Sequence, residues 1–131
     1  RAQNVETIVL PAIEHGKIVL CDRHTDSSVA YQGYGRGLDI TQINTLNNLA
    51  TNGIKPDLTI VFDVDVRTSM KRVGSSKDRM ESAGQEFFNR VRNGYLDLAK
   101  NEPERIKVID STKSVEEVHD DVIEVLNSLL S

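Results

Sequence analysis

The sequence predicts an α/β fold, a parallel sheet with flanking helices, and three observations carry that reading. Short continuous apolar runs at 17–21, 58–63 and 106–109 alternate with longer stretches whose apolar residues recur every three or four positions. The runs lack the apolar–polar alternation of a half-buried strand, so they suit strands covered on both faces. Each run leads into an aspartate: Asp22, Asp63 or Asp110. Strands separated by helices in this way pair in parallel through right-handed crossovers.

Taken in order, residues 1–14 carry Val5, Ile8, Val9, Ala12 and Ile13 at helical spacing, and Gly16 stops the helix. Pro11 falls inside it and is expected to kink it or loosen one turn. The run 17–21 is the first strand. Residues 26–34 read as a short helix capped by Asp26, followed by a loop holding Gly33, Gly35 and Gly37. Asp39 or Thr41 caps the next helix, with Ile40, Ile43, Leu46 and Leu49 on one face and Gly53 beyond its end. Pro56 and Asp57 turn the chain into the strand 58–63. A short helix at 66–73 runs into a polar stretch, 74–84, without periodicity. The helix 86–100 has a stripe of Phe87, Phe88, Val91, Tyr95 and Leu98, and 106–109 is the third strand. Ser114-Val-Glu-Glu117 is a capping box that starts the last helix, with Val115, Val118, Val122, Val125 and Leu129 following at helical spacing.

At 131 residues the chain has room for one domain, and 38% hydrophobic residues excludes wholesale disorder. A net charge of −4 argues against generic binding to nucleic acid or to an anionic membrane, each of which needs a basic face. Cys21 is the sole cysteine, so there is no internal disulfide and no cysteine-built zinc site, which fits a reducing cytosol. No apolar run approaches the roughly 20 residues of a membrane span, and no signal-peptide pattern opens the chain. The chain begins at Arg1 in what reads as mid-helix, so it is expected to be the carboxyl part of something longer.

In open α/β sheets, ligands bind beyond the carboxyl ends of the strands. There the sequence places Asp22-Arg23, Asp63-Val64-Asp65 and Asp110-Ser111. Asp22-Arg23 points most clearly to chemistry: a carboxylate holds Mg²⁺ through water or accepts a proton, and a guanidinium grips phosphate bidentately. The dipeptide is equally readable as a surface ion pair. Tyr31, one short helix on, is either a platform for a sugar or a core residue. The glycine run 33–37 lacks the spacing of a phosphate-binding loop and reads as a flexible turn. Between Arg67 and Arg79, five basic residues (Arg67, Lys71, Arg72, Lys77, Arg79) stand against one acid, Asp78. That local positive patch suits closure over polyphosphate, or else is a solvated helix end. His15, His24 and His119 have no metal-ligand spacing.

Together these residues resemble the thymidylate kinases, nucleoside-monophosphate kinases of the P-loop class. The strongest match is Val19-Leu-Cys-Asp-Arg-His-Thr-Asp-Ser-Ser-Val-Ala-Tyr-Gln-Gly-Tyr-Gly-Arg-Gly37, which is similar to the family's Asp-Arg-aromatic segment, Ser-containing helix and glycine-rich turn. Lys55-Pro-Asp-Leu-Thr59 resembles the family's approach to the next strand, and Asp78-Arg-Met-Glu81 with 87–95 resembles its lid and the helix behind it. The resemblance covers nearly all of the chain. It implies that residues 1–131 are the carboxyl part of one domain, P-loop NTPase-like but missing its first two strands, with a lid at 74–84.

The activity implied is transfer of the ATP γ-phosphoryl group to dTMP, giving dTDP, with Mg²⁺ present and the protein mainly positioning the nucleotides and neutralising charge. By similarity, Asp22 organises Mg²⁺ through water, Arg23 holds the acceptor phosphate, and Tyr31 packs where a 2′-hydroxyl needs room. Ser28 and Gln32 flank the thymine pocket, and Arg1 meets the thymine carbonyl. Arg79 reaches the ATP phosphates from the lid beside Asp78, while Lys77 and Arg72 are helpers from charge alone. A homodimer is implied, with the 1–14 helix a contributor because its apolar stripe needs cover. A cytoplasmic location is also implied.

Two positions depart from the family's commonest pattern, His24 in place of tyrosine and Met80 in place of an aromatic, and both bear on pocket packing. The larger departure is that no glycine here is followed five residues later by Gly-Lys-Ser/Thr, the loop whose amides cradle the donor phosphates. In the family that loop follows a strand lying centrally between the first two strands seen here. Without it their inner edges are unpaired, so the chain alone is expected to be inactive and not to fold as a family monomer. Two further readings stay open: a non-catalytic nucleotide-binding or assembly module, and a kinase of a related deoxynucleoside or nucleotide. Tyr31-Gln32 with residues 55–57 favours the thymidylate branch.

Overall fold

Proline has no amide hydrogen to donate, and the helix containing Pro11 widens immediately upstream of it. The computed structural model describes residues 1–74 and 82–131. Helix α1 (2–14) begins as Ala2–Asn4, passes through a widened π turn over Val5–Val9, and returns to α geometry in Leu10–Glu14. The expected loosened turn is therefore there, closed by the Leu10 amide on the Val5 carbonyl five residues back. Gly16, at φ 69°, ends the helix, and the Lys17 amide caps the Ala12 carbonyl at 2.9 Å.

The chain forms two compact units, Arg1–Lys55 and Pro56–Ser131. In the first, the run 17–21 departs from expectation: it has no regular secondary structure, and Ile18 and Leu20 are exposed. A strand is held by its ladder, and among the described residues no segment pairs with this run. Helix α2 (25–35) consists of Thr25–Ser28 and a second widened turn, Val29–Gly35. It corrects two expectations. Asp26 is not the cap but a buried residue in the first turn, because the helix starts one residue earlier behind His24. Gly33 and Gly35 are buried helical residues and not loop. Gly33 allows α2 to approach helix α3 (Ile40–Ala50): a Cβ there would lie 2.9 Å from Ile40 Cγ1. The glycine that turns the chain is Gly37, at φ 74°.

Asp39 caps α3 by accepting from the Gln42 amide at 3.1 Å. Of the expected apolar face, Ile43 is buried, whereas Leu46 and Leu49 are exposed. The core of this unit is small and built of Val5, Val9, Val29, Ala30 and Ile43.

In the second unit, strand β1 (Thr59–Asp63) pairs in parallel with β2 (Ile106–Asp110), Thr59 opposite Ile106 and Asp63 opposite Asp110. Helices α4 (Val66–Val73) and α5 (Ser82–Asn101) lie between them in sequence, as a parallel crossover requires. Helices α5 and α6 (Val115–Leu130) both pack on β2, and α4 packs on α5. Asp65 caps α4 through the Thr68 amide, and Gly74 at φ 66° closes it. The capping box of Ser114 and Glu117 is present in both directions. Of the expected α5 stripe, Val91 is buried while Phe88 remains partly exposed, and Ala99 of the same helix is buried, as are Ile106 and Ile109 of β2. Residues 82–84, expected in the polar stretch, belong to α5, and the rest of that stretch after Gly74 lies outside the described residues. No helix of the described residues is long and apolar enough to cross a membrane.

Candidate functional site

A guanidinium needs acceptors or an aromatic face, and the first unit supplies both at one place. Arg1, at the head of α1, donates through Nη1 to Ser28 Oγ on α2 at 2.5 Å and to Asn47 Oδ1 on α3 at 3.2 Å. Asn47 Nδ2 in turn donates to the Thr25 carbonyl at 3.3 Å, so one amide side chain joins α3 to both neighbours. Arg23 leaves the run 17–21 in the left-handed region, at φ 61°, an uncommon conformation for a residue with a Cβ. From there its guanidinium lies over the Tyr31 ring, 4.2 Å from the centroid.

Arg1, Ser28, Arg23 and Tyr31 line an open pocket of about 450 Å³. Arg1, Arg23, Ser28, Tyr31 and Gln32, five residues singled out from the sequence, all face it. Ser27 and Arg36 complete the lining and were not anticipated. For Arg36 a signal was present, since 28, 32 and 36 recur every four residues, but the glycines around it read as a turn. The widened turn adds to this, since the Arg36 amide bonds the Tyr31 carbonyl five residues back at 3.0 Å, setting Arg36 one turn below Tyr31.

Among the described residues the lining holds three guanidinium groups and no carboxylate, a composition that suits an anion although the chain is acidic. Hydroxyl and amide groups beside an aromatic ring add the means to bind a polar, ring-bearing molecule. His24, next to Arg23 in sequence, has a buried Nδ1 that meets no hydrogen-bond partner among the described residues. Its pKa is lowered from the usual 6.5 chiefly by burial and then by the positive charge of Arg1, with Asp26 opposing.

Asp22 stands apart from the lining residues. It is exposed, and among the described residues no hydrogen bond or ion pair engages its carboxylate. No group of three His, Cys, Asp or Glu side chains gathers to hold a metal among the described residues. A single open carboxylate fits Mg²⁺, which keeps most of its waters and takes the rest of its ligands from phosphates.

In the second unit, the acidic strand ends serve the fold. Asp63 is held bidentately by Arg92, at 2.7 and 3.0 Å, and that bond with its charge raises the Arg92 pKa. Ser111 donates its amide and its Oγ to the Asp63 carbonyl, at 2.9 and 3.0 Å. Asp110 accepts from the amide and hydroxyl of Thr112, which lower its pKa. Arg72 donates to the Ser111 carbonyl at 2.7 Å, tying the last turn of α4 to the end of β2. Lys77, Asp78 and Arg79, the expected lid residues, lie outside the described residues, as does Met80.

A family model described as thymidylate kinase matches residues 1–122. Among curated relatives, the thymidylate kinase of Pelotomaculum thermopropionicum is 49% identical over 133 residues, taking in 99% of this chain and 62% of its own. That of Kosmotoga olearia is 50% identical over 125 residues, 94% of this chain and 60% of its own. The crystal structure of thymidylate kinase from Ehrlichia chaffeensis superposes with a TM-score of 0.75 at 37% identity, over 96% of this chain and 58% of that one. The chain thus spans about three fifths of the length of the curated relatives it matches.

Proposed function

The chain belongs to the thymidylate kinase family, and from that premise we propose that its anion pocket is the acceptor site for phosphoryl transfer from ATP to dTMP. The observation that carries this is the meeting of Arg1, Arg23, Ser28, Tyr31 and Gln32 in one hollow that no carboxylate of the described residues lines. A nucleoside monophosphate has a dianionic end, a sugar and a polar base, and the lining has a counterpart for each.

Arg23 holds the 5′-phosphate, and its contact with Tyr31 fixes the direction from which it does so. The Tyr31 ring lies against the sugar, where a 2′-hydroxyl would be crowded. Arg1, oriented by Ser28 and Asn47, presents its remaining N–H groups to a thymine carbonyl, with Gln32 beside it. When bound, Mg²⁺ shields charge on the phosphates, and Asp22 is the residue that would orient it through water. Arg79, with Asp78, Lys77 and Arg72, is assigned to the ATP side. A homodimer in the cytoplasm is the setting this reading adopts. Because the sequence holds no Gly-x4-Gly-Lys-Ser/Thr loop, this chain by itself binds the acceptor without turning it over.

Titration calorimetry of the chain with dTMP, dGMP and dCMP tests the assignment. Binding of dTMP at least tenfold tighter than the other two supports it. Equal binding of all three, or none of dTMP, overturns it. Rapid ADP formation by this chain from ATP and dTMP would refute the separation of binding from turnover.

A further inference from the structure

Two of the three guanidinium groups in the pocket are already engaged by the protein. Arg1 spends a nitrogen on Ser28 and Asn47, and Arg23 lies on Tyr31. Arg36 also lines the pocket, is exposed, and makes no hydrogen bond or ion pair with its side chain among the described residues. Its backbone is well fixed: it ends the widened turn of α2, with its amide on the Tyr31 carbonyl at 3.0 Å. In an unbroken α-helix a residue five positions on points well away from the first, at about 100° per residue. The widened turn brings position 36 round to the Tyr31 face, and turns of this kind are frequent at functional sites.

We infer that Arg36 is a second phosphate-binding residue of the acceptor pocket, closing on the monophosphate opposite Arg23 and selecting a phosphorylated ligand over the bare nucleoside. This rests on the acceptor-site reading above and deepens it. A fork-shaped donor lining a site with no carboxylate among the described residues meets a dianion bidentately. A neutral nucleoside offers it nothing of comparable strength.

The test compares dTMP with thymidine on the chain and on Arg36→Gln and Arg36→Lys, with circular dichroism checking the fold of each. Arg36→Gln is expected to lose tenfold or more in dTMP affinity and less than twofold in thymidine affinity. Arg36→Lys, keeping charge without the fork, is expected to fall between. Equal dTMP binding by the chain and Arg36→Gln overturns the inference and leaves the acceptor-site reading standing. An equal loss of both ligands also overturns it, by showing a general effect on the pocket. Failure of the unaltered chain to bind dTMP defeats the acceptor-site reading itself, and this inference with it.

Discussion

The Arg23 guanidinium lies 4.2 Å from the centre of the Tyr31 ring, across the mouth of a pocket that both residues line. An ion over an aromatic face at a solvent-open site is worth roughly 0.5–1 kcal/mol. Tyr31→Ala removes that support and the ring's own contact, so dTMP affinity is expected to fall about tenfold, against about twofold for Tyr31→Phe, at about 1.4 kcal/mol per decade. Calorimetry on the two variants reads the difference, and equal losses would show that the ring is not the group that matters.

Asn47 uses both ends of its amide, accepting from Arg1 and donating to Thr25. Asn47→Ala leaves both partners short, at an expected cost of roughly 1–2 kcal/mol in stability. Asn47→Asp keeps an acceptor for Arg1 but loses the donor to Thr25, and should recover part of that loss. Urea midpoints of the three proteins check the order.

The lowered pKa of His24 ties stability to pH in a stated direction. The unfolded chain takes up a proton near the usual value of 6.5, while the folded chain resists until lower pH. The fold therefore has this stability in full above 6.5 and loses it progressively as pH falls from there through the folded value. Urea midpoints at pH 7.5 and 5.5 should differ less in His24→Gln than in the parent. An unchanged difference would remove His24 as its source.

The bidentate pair of Arg92 with Asp63 holds α5 to the end of β1, and Arg92 is 37% exposed. Solvent screening limits its worth, so Arg92→Met is expected to cost only about 1 kcal/mol, and less at high salt. Denaturation at 0.05 and 1 M NaCl measures both statements. A loss that does not shrink with salt would point to packing by the side-chain stem instead.

Local rules made the capped elements legible in the sequence. Ser114 begins its helix as read, and of Asp39 and Thr41 it is Asp39 that caps, because an N-cap side chain meets its amide within three residues and needs nothing remote; Asp65, read as a strand-end carboxylate, caps α4 by the same rule. Pro11 likewise announced its loosened turn. What failed depended on partners. The 17–21 run has the composition of a strand, yet a ladder is a property of two segments. The face of Leu46 and Leu49 is apolar but exposed, since periodicity shows that a face wants cover without showing what covers it. Five pocket residues were legible through resemblance and chemistry together. Arg36 was missed because its glycine neighbours are usually evidence of a turn, which masked its four-residue spacing from Ser28 and Gln32, and the i to i+5 hydrogen bond at its amide has no composition of its own.

At φ 61°, Arg23 occupies backbone geometry that glycine adopts freely and that costs a residue with a Cβ about 1 kcal/mol or more. Replacing it by glycine would relieve that tension while deleting the group that grips the ligand, so thermal robustness and ligand recognition should move in opposite directions at this single position. Any search for hardier variants of this chain, if it screens on heat alone, will drift toward the change that empties its binding site of purpose.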